Sequence, residues 1–82
     1  MENRVALIGI IVENLESVEK LNNTLHDYEK YIIGRMGIPY KKRGISIISI
    51  VIDAPNDIIS SISGKLGMIP EVSIKTMYSK IK

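Results

Sequence analysis

Two largely aliphatic runs organise the chain, VALIGIIVE from Val5 to Glu13 and ISIISIVID from Ile45 to Asp53. Both are rich in β-branched residues and too short for a typical helix, so both predict central strands. Laid side by side they match position for position, each ending in an acid, which suggests two similar βαβ halves related by a pseudo-twofold. After the first run the period lengthens. Val18, Leu21, Leu25 and Tyr28 recur at helical spacing, while Glu19, Lys20, Asn23 and Asp27 point elsewhere. Asn14 is the expected N-cap, and Glu16 in the first turn suits the positive end of the helix dipole. A second helix is expected after Asp53, with Pro55 in its first turn, a stripe of Ile58, Ile59, Ile62 and Leu66, and Gly67 and Pro70 as stops.

Between the first helix and the second aliphatic run, YIIGRMGI from Tyr31 to Ile38 predicts a strand weakened by Gly34 and Gly37. Pro39 with Lys41, Lys42, Arg43 and Gly44 is expected to form the turn into the next strand. Val72 to Tyr78 is the last strand. The order is β-α-β-β-α-β, an α+β ferredoxin-like sandwich formed as a single domain over residues 1–82. It has a four-stranded antiparallel sheet and two helices on one face.

The other face of that sheet is the informative one. A strand half-buried in a sheet alternates apolar and polar positions, but Ala6, Ile8, Ile10 and Val12 and the opposite-facing Val5, Leu7 and Ile11 are all apolar. Two helices cover one face only. The second face is therefore expected to pack on another sheet, most simply in a homodimer or a dimer of dimers, the alternative being a domain that leaves some isoleucine exposed.

Size points the same way. A chain of 82 residues buries only about 60–65% of its unfolded surface, so its own core leaves little stability in reserve. With no cysteine, disulfides, thiolate zinc sites, iron–sulfur ligation and cysteine nucleophiles are excluded together, and oligomerisation is the natural substitute. The start MENRVALIGI has neither the basic region nor the cleavage site of a signal peptide, and no stretch approaches the about 20 apolar residues of a membrane-spanning helix. The expected location is the cytoplasm, with no membrane partner.

No catalytic set emerges. His26 is the only histidine, so a metal site would need carboxylates to complete it, and none is expected. Glu13 and Asp53, at the ends of paired strands, could bring two carboxylates together, although helix capping is the simpler role. Ser60, Ser61 and Ser63 lack a second histidine to activate them. The segment Gly34, Arg35, Met36, Gly37 lacks the lysine and hydroxyl of a phosphate loop, which leaves Arg35 as a possible contact for an anion. A net charge of +2 is too mild to imply nucleic acid. The fold's usual RNA platform needs stacking aromatics on the first and third strands, where this chain has only aliphatics. Lys41, Lys42 and Arg43 read as a solvated turn.

The phrases IGIIVEN, YIIGRMGIPY, GISIISIVIDAPNDIISSISGKLG and VSIKTMYSK resemble the family of regulators assigned to the iron-only hydrogenase system, nearly end to end. The most specific stretch is IIGRMGIPY followed by the GIS strand and a helix start carrying Asp53, Pro55, Asp57, Ile59 and Ser60. The resemblance implies a bacterial cytoplasmic protein with an ACT-like ferredoxin fold, a regulatory role and no enzymatic activity. More distantly the chain is similar to the ligand-binding, tetramerising domain of nickel-responsive repressors, where a helix end like His26-x-Tyr28 precedes a strand like YIIGRM. Those repressors place a histidine pair on the second strand and a cysteine on the third. Here stand Gly37, Pro39 and no cysteine, and the DNA-binding arm is missing, so neither nickel nor direct nucleic-acid binding is carried over. The turn of ACT domains is only loosely echoed by Glu13, Asn14 and Leu15.

These readings converge on a non-enzymatic sensor without a resident cofactor, whose oligomer interface forms a small-molecule pocket near Asn14, His26, Tyr28, Arg35, Met36 and Tyr40. The competing expectations are a protein–protein adaptor in hydrogenase maturation, partnered by a protein of that system, and a small dimeric α+β enzyme.

Overall fold

A computed structural model describes residues 2–80 of the chain. Along it run β1 (Asn3–Val12), α1 (Ser17–Asp27), a 3-10 turn at Glu29–Tyr31, β2 (Ile32–Tyr40), a second 3-10 turn at Lys41–Arg43, β3 (Ile45–Pro55), α2 (Asn56–Gly67) and β4 (Val72–Tyr78). The strands are ordered β2-β3-β1-β4 and every neighbouring pair is antiparallel. This is the expected ferredoxin-like arrangement.

Strand alternation decides what is buried. Ala6, Ile8, Ile10 and Val12 of β1 and Ile48, Ile50, Ile52 and Ala54 of β3 lie on one face, where they meet Leu21 and Leu25 of α1 and Ile59, Ile62 and Leu66 of α2. Each large side chain taken out of water there contributes about 1.5–3 kcal/mol. Both predicted helical stripes therefore face the sheet, with Val18, Tyr28 and Ile58 half-buried at their margins.

Three local expectations need correction. Helix α1 begins at Ser17, later than an Asn14 cap implies. The Asn14 side chain instead accepts the Glu16 N–H at 3.0 Å, holding the turn before the helix, so Glu16 precedes the first turn as well. Pro39 lies inside β2 and not in the turn, which is tolerated because β2 is an edge strand paired only with β3. The turn itself is closed by Gly44 at φ 66°, a left-handed conformation that a Cβ would strain.

Two hydrogen bonds join the β1–α1 connection to the α2–β4 connection. The Glu13 N–H donates to the Glu71 carbonyl at 2.9 Å, and the buried Ser17 hydroxyl donates to the Pro70 carbonyl at 2.9 Å. Ser17→Ala is expected to lower stability by about 1 kcal/mol, read as a lower urea midpoint at unchanged slope.

Strand β2 carries a bulge. Its register steps from Ile32 opposite Ile52 to Gly34 opposite Val51, so Ile33 has no partner. The extra residue resets the alternation. Arg35 and Gly37 then pair with the helix-facing Ile50 and Ile48, while Met36, Ile38 and Tyr40 join Ser49, Ile47 and Ile45 on the opposite face.

Candidate functional site

The face turned away from the helices is an apolar field built from all four strands. Leu7 lies between Val51 and Met77, and Ile11 lies between Ile47 and Ser73. Ile47 and Ile11 are 38% and 43% exposed, against 3% and 1% for their neighbours Ile48 and Ile10. With Val5, Met36, Ile38, Tyr40 and Met77 also exposed, the patch is contiguous, which is uncommon on a soluble monomer.

Its centre is hollow. Gly9 stands between Ser49 of β3 and Lys75 of β4, and a Cβ added to Gly9 would meet nothing within 4 Å. Around it lies a shallow hollow of about 350 Å³, open to solvent and flanked by Ile11 and Ile47, with Ser49, Ser73 and Lys75 at its border. A second hollow of about 510 Å³ shares Ile11 and Ile47 and ends at Glu13, Tyr40 and Arg43.

The six expected ligand residues do not share one pocket within the chain. Met36 and Tyr40 lie on the open face. His26 and Arg35 line a separate cleft of about 280 Å³ between α1 and β2, with Asn22 and Glu29. There Arg35 donates to the Asn22 amide oxygen, and His26 Nδ1 is 3.3 Å from Glu29 Oε2 in a solvent-exposed pair. Asn14 serves its own turn. Tyr28 packs beside α2, its hydroxyl 3.1 Å from Ser61 Oγ and its ring 5.1 Å from the Lys65 ammonium.

That last arrangement perturbs both ionisable groups. The Lys65 hydrogen bond, then the Ser61 hydroxyl, holds the Tyr28 phenol below its usual value, and Tyr28 holds the Lys65 ammonium above its own. The charged pair is stabilised only between those two displaced values. Below the phenol's lowered value its contribution is lost because Tyr28 is protonated, and above the ammonium's raised value because Lys65 is neutral. In an ultraviolet titration, one tyrosine is expected to ionise ahead of the ordinary range, and Lys65→Met should move it back. An unchanged curve would rule the pair out.

The antiparallel register also corrects the acid pair. Asp53 lies opposite Val5, whereas Glu13 follows Val12, opposite Ser46. The two carboxylates stand at opposite ends of β1, roughly 27 Å apart at about 3.4 Å per residue, and cannot act on one group. Among the described residues, no three or more His, Cys, Asp or Glu side chains gather to hold a metal, and no helix is long and apolar enough to cross a membrane. Gly9, Ser49 and Lys75 were absent from the expected site. The signal for them is a glycine midway along an otherwise unbroken aliphatic strand.

An antiparallel β2-β3-β1-β4 sheet with helices on one face only defines a ferredoxin-like α+β domain with an open sheet. Over residues 4–76 the sequence matches the TM1266-like family, described as "Iron-only hydrogenase system regulator, putative", and the chain belongs to that family. The fold matches that of the uncharacterized protein TM1266 from Thermotoga maritima with a TM-score of 0.92 and 34% identity, covering 96% of this chain and 100% of that one. Two further structures share the fold alone. A formyltetrahydrofolate deformylase from Pseudomonas putida KT2440 gives a TM-score of 0.60 at 11% identity, over 90% of this chain and 28% of that one. The divalent ion tolerance protein CutA1 from Ehrlichia chaffeensis gives 0.53 at 15% identity, over 100% of this chain and 87% of that one. Among curated proteins no sequence matches.

Proposed function

We propose that this chain is a non-enzymatic, cytoplasmic regulatory module of a bacterial iron-only hydrogenase system, which assembles through its open sheet face and holds a small ligand at that interface. The apolar face with its central hollow carries the reading. Four strands at about 4.8 Å spacing and a central strand of about 34 Å give a face of roughly 650 Å². That is close to the about 800 Å² per partner that a standard interface covers.

Ser61 is engaged with Tyr28 and Ser63 with Thr76, each at 3.1 Å, and His26 faces Glu29, so none of these serines meets an activating imidazole. Met36 and Tyr40 contribute to the covered face. The cleft holding His26 and Arg35 opens on the helix side of the sheet, between α1 and β2, and is separate from the open face.

Native mass spectrometry of anaerobically purified protein tests the reading, because one spectrum reports both assembly and retained mass. A dimer or tetramer carrying extra mass is expected. A clean monomer overturns it and favours an adaptor that buries the same face on a different protein.

A further inference from the structure

The open face has one feature that an interface of pure hydrocarbon would not need. Lys75 points from β4 into the same field as Ile11 and Ile47, opposite Gly9. Among the described residues it makes no ion pair and no side-chain hydrogen bond. The hydroxyls of Ser49 and Ser73 border the same hollow. Lys75 stands on the edge strand β4, so under a covering sheet its ammonium either reaches water at the rim or, turned into the hollow, requires an anion.

We infer that the hollow over Gly9 binds a small aliphatic monocarboxylate, its hydrocarbon body seated between Ile11 and Ile47 and its carboxylate held by the Lys75 ammonium and the Ser49 and Ser73 hydroxyls. This deepens the reading above and rests on it, since closure of the face by a second copy is what excludes water from the pair. The size agrees. A hollow of about 350 Å³ lies at the small end of ligand pockets, which run to about 1,000 Å³. The single cation and apolar walls favour one negative charge on a branched or short hydrocarbon. Gly9 is the floor, and any side chain there would stand where the ligand lies.

The competing anion is a carboxylate of the second copy, from Glu13 or Asp53 at the two ends of the face. Calorimetric titration of the 82-residue chain with isocaproate and with its neutral isostere isocaproamide separates the two, with native mass spectrometry on the same samples. The carboxylate is expected to bind and the amide to bind at least about tenfold more weakly. Lys75→Met should abolish the difference and Lys75→Arg should retain it. Gly9→Val, whose Cβ meets no neighbouring atom within 4 Å, should keep the fold and lose binding. Equal binding of acid and amide, or a Lys75→Met protein with unchanged affinity, overturns the inference. An assembled protein that binds neither probe discards this site and leaves the interface reading standing. A monomer that binds neither discards both.

Discussion

Ile47→Asp is expected to convert the proposed face-to-face assembly into a folded monomer, read by size-exclusion chromatography with light scattering. Ile47 lies on the open face between Ile11 and Ile38 and is 38% exposed, so in the isolated chain an aspartate there reaches water. The cost to the monomer is limited to the poor strand propensity of aspartate, at most about 1 kcal/mol. In an assembly closed over that face the same carboxylate is buried without a partner, which costs about 3–5 kcal/mol, or roughly two to four decades in dissociation constant. A variant that stays assembled at micromolar concentration would show that the interface lies elsewhere.

Ile50→Ala acts on the other face of the same strand and lowers folding stability by about 2–5 kcal/mol. Ile50 is fully buried, its backbone opposite Ile8 and Arg35 and its side chain under the helices. The loss combines forfeited transfer energy with a cavity that the closely packed isoleucines around it cannot fill. For a domain of this size each kcal/mol lowers the melting temperature by about 4–8 °C. Urea denaturation in the monomeric Ile47→Asp background isolates this term from assembly. A loss under about 1 kcal/mol would contradict the burial of the helix-covered face.

The contrast between Ile47 and Ile50 indicates which features were legible in the sequence. Strands β1 and β3 announce themselves because both faces are aliphatic, and the helices because Leu21, Leu25, Ile59, Ile62 and Leu66 keep helical spacing. Element order followed, and with it the ferredoxin-like sheet. Placement of single residues was less accessible. Pro39 reads as a turn residue, yet an edge strand has room for it, and edge position is a property of the whole sheet. The bulge at Ile33 decides that Arg35 faces α1 and Met36 the open side, and nothing in IIGRM announces it.

The candidate site suffered from the same limit. Asn14, His26, Tyr28, Arg35, Met36 and Tyr40 were selected for their chemistry and for a resemblance, neither of which gives the direction of a side chain. The structure sends them to four places. Glu13 and Asp53 end similar phrases, but antiparallel pairing turns matching ends into distant ones. Gly9 interrupts its aliphatic strand in the sequence, but the space it leaves can be placed only once the neighbouring strands are in register.

The edge strand β2 bears on how far assembly can proceed. A sheet can also grow sideways, by adding strands of further copies to a free edge until a fibre forms. Here that edge is broken by the unpaired Ile33 near one end and by Pro39, which has no N–H to offer, near the other. Lateral growth thus meets an interrupted template, whereas two sheet faces can saturate each other. If the proposed assembly forms, raising the protein concentration is expected to fill a finite particle without lengthening it.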